Sequence, residues 1–345
     1  MRMFEEIISM ENLLEAWREF LRGKRGRADV QEFSLLLMDN LFVLHRNLAN
    51  RTYRHGVYQA FNISDPKPRN IHKASVRDRL LHHAIYRVLY PYFDRKFITD
   101  SFSCRIGKGT HKALNRFKAF AYKASSNNTK TCWILKCDVR KFFASINHYT
   151  LKTILAKHIT DRDTLWLLEQ VIDSFSSVAG RNIGVPLGNL TSQLLVNIYM
   201  NGFDQFVKHK LKARYYIRYA DDFVVFSPNR QELGHILPKI RGFLQERLKL
   251  ELHPDKVSIR TLASGIDFLG WVHFHDHRVL RTATKRRMFR NLQEKNGKIE
   301  TVQSYLGLLK HGNARGLQKH ITEDEINYSK CTDFSNCSSW DLSNE

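Results

Sequence analysis

Three aspartates carry the chemistry this sequence suggests. Asp138 ends the apolar run TCWILKC and is followed by VRKFF, while Asp221 and Asp222 interrupt the alternating run RYYIRYADDFVVF (residues 214–226). Runs of strand-forming residues bounded by turn signals read as strands, and the second run reads as a hairpin with an acidic tip. Two such strands side by side in one sheet would bring three carboxylates within a few ångströms. Unpaired, they repel and raise one another's proton affinity. Divalent cations relieve that repulsion, and hard oxygen ligands suit Mg²⁺. Two ions about 4 Å apart would stabilise both the attacking and the leaving oxygens of a phosphoryl displacement. Taken singly, each motif also has a plain reading, because Asp is common in turns and as a cap.

The elements that must position these acids are legible in outline. Residues 1–60 look helical: Leu13, Leu14, Trp17, Phe20 and Leu21 recur at helical spacing, then a basic break at 23–29 precedes a second helix over 30–49. Residues 58–73 read as strand, turn, strand around the proline-flanked Asp65–Arg69, and a helix is expected over 76–93. The loop SFSCRIGKGTHKA (101–113) enters another helix; its GKGT lacks the spacing of a complete phosphate loop. Helical patterning covers 150–178, GVPLGNL turns into an amphipathic helix near Thr191, and 231–249 is helical again. Short strands are expected over 250–281 and basic helices over 284–321. His273, His275 and His277 alternate; exposed histidines on a strand turn account for them more simply than a metal face.

Charge narrows the partner. Among 345 residues, Lys and Arg number 55 and Asp and Glu 34, a formal net of +21. The last 24 residues hold six acids and one lysine, so the remainder carries +26. Such an excess calls for a polyanion, since each cation set on a phosphate releases a condensed counterion. Five cysteines (104, 132, 137, 331, 337) stand at no metal-ligand spacing, which fits reduced thiols. The acidic start is unlike a signal peptide and no apolar stretch is long enough to span a membrane, so a cytoplasmic protein with no membrane partner is expected.

In this order the boxes resemble a family. Tyr219-Ala220-Asp221-Asp222, Asp138 in DVRKFF, GVPLGNLTSQ and GIDFLGW (265–271) are similar to the hairpin, first-aspartate, template-and-nucleotide and primer-grip boxes of reverse transcriptases. The resemblance runs from about residue 30 to 320. It implies an α/β (α+β) right-hand polymerase: a helical extension (1–55), fingers (56–130, with part of 145–185), palm (131–281), helical thumb (282–321) and an acidic tail (322–345). It implies an RNA-directed DNA polymerase that takes a template RNA and dNTPs to a cDNA product with two Mg²⁺ ions, Mn²⁺ being a possible substitute.

The same resemblance assigns roles. Asp138, Asp221 and Asp222 would be catalytic metal ligands, with the carbonyl of Val139 joining them. Phe143, five residues after Asp138, would stand as a steric gate against the 2′-hydroxyl, unless it is a core residue and Phe142 the gate. Lys67 and Arg69 would clamp the triphosphate or touch the template, while Leu187, Gly188, Ser192 and Gln193 would line the nascent pair. Lys256 is either the general acid for pyrophosphate or a surface lysine. Phe268, Leu269, Gly270 and Trp271 would grip the primer. Arg77, Arg79, Arg105 and Lys108 would be template contacts or structural pairs.

DPKPRNIHKASVRDR, SCRIGKGTHKA and PLGNLTSQ are most similar to the enzymes of diversity-generating retroelements, which work with a small helical-bundle accessory protein. Defence-associated, retron-like and intron-like reverse transcriptases share the core, although intron-type enzymes usually carry Gln where Leu187 stands. A catalytically dead palm that binds nucleic acid and a palm-fold nucleotide cyclase are the competing classes.

Overall fold

The structure, a computed structural model, describes residues 3–64 and 68–322. Four helices lead: α1 (Met3–Ile8), α2 (Met10–Phe20), α3 (Ala28–Leu35) and α4 (Leu37–Ala49). The ribbon β1 (Gln59–Ile63) and β2 (Arg69–Lys73) precedes α5 (Val76–Asp94) and α6 (Thr110–Ala124). Next come β3 (Trp133–Asp138), α7 (His148–Ala156), α8 (Arg162–Asp173), α9 (Leu190–Gln205), β4 (Tyr215–Tyr219), β5 (Asp222–Ser227) and α10 (Arg230–Leu248). Four short strands follow, β6 (Ser258–Thr261), β7 (Ile266–Phe268), β8 (Trp271–His273) and β9 (Arg278–Leu280), then α11 (Thr282–Glu294) and α12 (Ile299–Leu309). The chain forms two compact units, Met1–Ile259 and Arg260–Glu345.

The first unit is built on a sheet of order β4-β5-β3-β6, in which β5 pairs antiparallel with both β3 and β4. Phe223 to Phe226 of β5 are all buried because helices cover both faces, α10 packing on β3 and β5 and α6 on β4 and β5. A strand covered on both sides reads as a continuous apolar run rather than an alternating one. Each such side chain contributes about 1.5–3 kcal/mol on burial, so this strand is a rigid base for what sits at its end. Helix α5 packs against α2 and α9, beginning at Ser75, whose hydroxyl accepts from Asp78 N. The β1–β2 ribbon is mostly exposed and pairs antiparallel from Gln59↔Lys73 to Ile63↔Arg69. Lys67 lies outside the described residues.

The helix expected over 30–49 is two helices. Leu36 breaks it with φ −118° and ψ 41°, and Asn40 Nδ2 donates to Phe33 O across the break at 3.1 Å. In the second unit, β7, β8 and β9 form an antiparallel sheet. Leu269 (φ 53°) and Gly270 (φ 86°) turn between β7 and β8. Two successive positive φ values are what a two-residue hairpin turn of primed type requires. Phe268 and Trp271 face each other across that turn and are buried. His273 is also buried, contrary to the exposed face read from sequence, and burial pushes its pKa down to about 3. His277 stacks on Phe274 and pairs with Asp276.

Candidate active site

The register of the central sheet sets the acids against one another. Asp138, the last residue of β3, is paired directly with Asp222, the first of β5, and Asp222 is paired with Tyr219 of β4. Residues opposed in an antiparallel pair have Cα atoms about 4.5–5.5 Å apart. Asp221 stands in the turn between. Val139 N donates to Asp221 O at 3.2 Å, and His253 N donates to Asp138 O at 2.8 Å. The backbone under all three carboxylates is therefore tied on both sides.

The turn is also held from below. Ala220 has φ +55°, a conformation that costs a non-glycine residue of order 1 kcal/mol. Its carbonyl accepts from Nη1 of Arg218 at 3.1 Å. Arg218 is fully buried, and its guanidinium also donates to both oxygens of Asp204 (2.8 and 2.7 Å), to Asn197 Oδ1 and to Ser101 Oγ. All five N–H donors of the group are used. Tyr216 OH adds a bond to Asp204 Oδ1 at 2.7 Å. Sequence reading passed over this network. Its signal was a charged residue at a buried strand position, with Asp204 among the apolar residues of the preceding helix.

Charge at the site is out of balance. Burial pushes the Asp222 carboxyl up to about 7; Lys136 opposes this, and the charges of Asp221 and Asp138 add to it. Burial raises Asp221 as well, partly offset by a backbone N–H, with Asp138 adding and Lys256 and Arg69 opposing. Lys256 Nζ donates to Asp138 Oδ1 at 3.0 Å. Among the described residues, no three Asp, Glu, His or Cys side chains stand as a closed metal cage. The donor set nevertheless fits a hard cation, because it is all oxygen, burial and neighbouring charge raise the proton affinity of Asp221 and Asp222, and Asp138 already holds a cationic group. The bond from Lys256 engages one of the two carboxylate oxygens of Asp138.

The structure places the other sequence-derived candidates as follows. Phe142 is buried, whereas Phe143 is half-buried with its ring 5.5 Å from that of Phe142. Phe143 O accepts from Val185 N, so the segment after Asp138 is joined to the turn 185–188. Leu187 is half-buried, and its carbonyl accepts from His72 N of β2 at 3.1 Å. Gly188 has φ +102°, and a Cβ there would lie 2.9 Å from Ile71 Cγ2, so glycine is what allows β2 to approach. Gln193 is half-buried and Ser192 buried near the start of α9. Arg69 is exposed on β2, close enough for its charge to act on Asp221.

Four cations are engaged within the chain. Arg77 bonds Asp78 and Arg54 O, and Arg79 bonds Asp29 at 2.6 Å. Arg105 bonds Asp94 at 2.6 Å together with three backbone carbonyls, and Lys108 bonds Thr99 O. Phe268, Leu269, Gly270 and Trp271 form the β7–β8 hairpin of the second unit.

A model of the family described as reverse transcriptase (RNA-dependent DNA polymerase) matches residues 64–273. Protein YkfC of Escherichia coli (strain K12) is 27% identical over 258 residues, covering 64% of this chain and 66% of that protein. The group II intron-encoded protein LtrA of Lactococcus lactis subsp. cremoris is 22% identical over 296 residues, 65% of this chain and 47% of that one. The chain thus spans less than two thirds of the length of these relatives. Among solved structures, apo telomerase from Candida tropicalis superposes with a TM-score of 0.53 at 12% identity, covering 81% of this chain and 58% of that one. Telomerase from Candida albicans in complex with a fragment of telomeric RNA gives 0.52 at 11%, over 83% and 62%. The shared architecture is the right-hand polymerase fold.

Proposed function

The chain belongs to the reverse transcriptase (RNA-dependent DNA polymerase) family, and on that premise we propose that it extends a primer with dNTPs along an RNA template. The observation that carries this reading is the opposed pair Asp138 and Asp222 with Asp221 in the adjoining turn. These three carboxylates and the Val139 carbonyl would hold Mg²⁺. Bound there, the metal would supply the positive charge that phosphoryl transfer needs. Arg69 and Lys67 would bind the triphosphate as fork and point charge. Phe143, the less buried of the two rings, would lie under the sugar and exclude a 2′-hydroxyl by volume. Lys256, held at Asp138, is the candidate to protonate the leaving pyrophosphate. RNA-templated primer extension with Mg²⁺ tests the reading.

The finer proposal concerns fidelity. Leu187 offers the nascent pair only apolar contact, where a Gln would donate and accept hydrogen bonds. Fewer polar tethers narrow the gap between correct and incorrect pairs, about tenfold in selectivity for each 1.4 kcal/mol lost. This supports an error-prone enzyme of the diversity-generating kind, miscopying template adenines and assisted by a small helical-bundle protein. cDNA made by wild type and by Leu187→Gln on one adenine-containing template should show frequent errors at adenines in the first and fewer in the second. Equal, low error rates would favour a defence-associated or intron-like enzyme instead, the latter being the reading that likeness to LtrA supports.

A further inference from the structure

The far end of the β4–β5 hairpin is as basic as its tip is acidic. Between α9 and β4 the chain runs FVKHKLKAR (206–214), four fixed cations and a histidine in seven residues. Its first turn is a π-helix over Phe206–Lys210, and Lys212 follows with φ 54°. Lys208 is committed, bonding Arg214 O and pairing with Asp100 at 3.0 Å. His209, Lys210, Lys212 and Arg214 are exposed, and among the described residues Lys210, Lys212 and Arg214 have no carboxylate at ion-pair distance.

A second element adds to the patch. Lys210 lines an open cavity of about 400 Å³ with Lys239 and His235 of α10 and the polar side chains of Asn229 and Gln231; its apolar lining residues, Leu211 and Ile236, are half-buried and buried. The one acid on that wall, Glu232, is bonded by Ser227 Oγ at 2.5 Å. No large exposed hydrophobic residue occurs between 206 and 239. Protein interfaces place aromatic and apolar anchors at their centre, whereas phosphate contacts need only cations and polar groups.

The patch is not the polymerase cleft. Tyr215 pairs with Phe226 at one end of the hairpin and Tyr219 with Asp222 at the other. Four residue steps at about 3.4 Å put the start of β4 roughly 14 Å from the acidic end, with the basic segment beyond it.

We propose that Lys210, Lys212 and Arg214, with Lys239 and His235, form a second RNA-binding surface. It takes the phosphate backbone of template RNA lying outside the cleft. The proposal rests on RNA being the template. It gives part of the chain's large positive charge a task that the catalytic cleft does not explain.

The test neutralises three exposed cations in one variant, Lys210→Gln, Lys212→Asn and Arg214→Gln; Asn suits the positive φ at 212. Its melting temperature should match wild type. Affinity is measured against salt for two RNAs, a short primer–template confined to the cleft and a long folded RNA. For the long RNA, the slope of log affinity on log salt should flatten by roughly 2–3, and affinity near physiological salt should fall on the order of 10- to 100-fold. The short primer–template should bind and be extended as by wild type. An unchanged slope on the long RNA would overturn the proposal and leave the patch to another partner, such as an acidic protein. Equal losses on both RNAs would overturn it too. So would an equal flattening in the control Arg22→Gln, Arg25→Gln and Arg27→Gln, since total charge would then explain the effect. Wild-type extension of the short primer–template tests the polymerase reading by itself, and the slopes can be scored whether or not extension occurs.

Discussion

Asp222→Asn separates the two things the acidic cluster does. In the folded chain without metal, burial and the neighbouring acids push Asp222 from 3.8 to about 7. A folded-state pKa above the unfolded one means that the folded chain binds more protons between pH 4 and 7. Its stability therefore falls as pH rises through that window. A rise of about three pK units corresponds to an upper bound of ~4 kcal/mol at ~1.36 kcal/mol each. Water reaching this partly exposed group reduces that to roughly 1–3 kcal/mol. Asn keeps the shape and cannot ionise, so the variant should gain that amount at pH 8 and almost nothing near pH 4. The assay is thermal unfolding without divalent ions, where the gain at pH 8 should appear as roughly 3–8 °C. Mg²⁺ should stabilise wild type at pH 8 and do so much less for the variant, because a ligand that binds only the folded state adds stability as the logarithm of its concentration over Kd, and the variant's Kd is weaker. Nucleotide addition should be abolished while RNA binding persists. A variant less stable than wild type at pH 8, or one stabilised equally by Mg²⁺, would refute the reasoning that these carboxylates are held together against their own repulsion.

Phe143→Ala should admit ribonucleotides, read as rNTP against dNTP incorporation on one template; an unchanged preference would make Phe143 a packing residue. Arg218→Met should destabilise the first unit by roughly 3–5 kcal/mol in denaturant unfolding, because Asp204 would be left buried and unpaired. Replacing both partners, Arg218→Met with Asp204→Leu, should recover most of that stability. Because the Ala220 carbonyl would still lack its donor, the double variant should keep the fold yet extend primers more slowly than wild type.

How much of this was legible beforehand differs by residue. The convergence of Asp138 with Asp221 and Asp222 was readable because each ends an apolar strand, and only a shared sheet edge brings such ends together. The direct opposition of Asp138 to Asp222 was not, because register depends on how β3, β5 and the covering helices pack. The bond from Lys256 to Asp138 spans 118 residues and leaves no local signal. The break at Leu36 was hidden because LLLMD continues a helical pattern, while the compensating bond comes from the Asn40 side chain. Arg77, Arg79, Arg105 and Lys108 show the limit of charge as a guide. A basic residue in a basic chain looks available, yet each of these has partners of its own within the fold. The tight turn at Leu269-Gly270 was partly readable from its glycine, but not the positive φ of a leucine, which the buried pair Phe268 and Trp271 flanks.

The central claim is RNA-templated DNA synthesis at the three aspartates, and single-turnover primer extension tests it most directly. Wild type, Asp138→Asn and Asp221→Asn are each given a labelled primer on an RNA template, the four dNTPs and Mg²⁺. The account predicts template-dependent extension by wild type, none by either variant, and none when the template or Mg²⁺ is omitted. Extension that survives loss of either carboxylate, or a wild-type protein that binds the primer–template without adding a nucleotide, would contradict it.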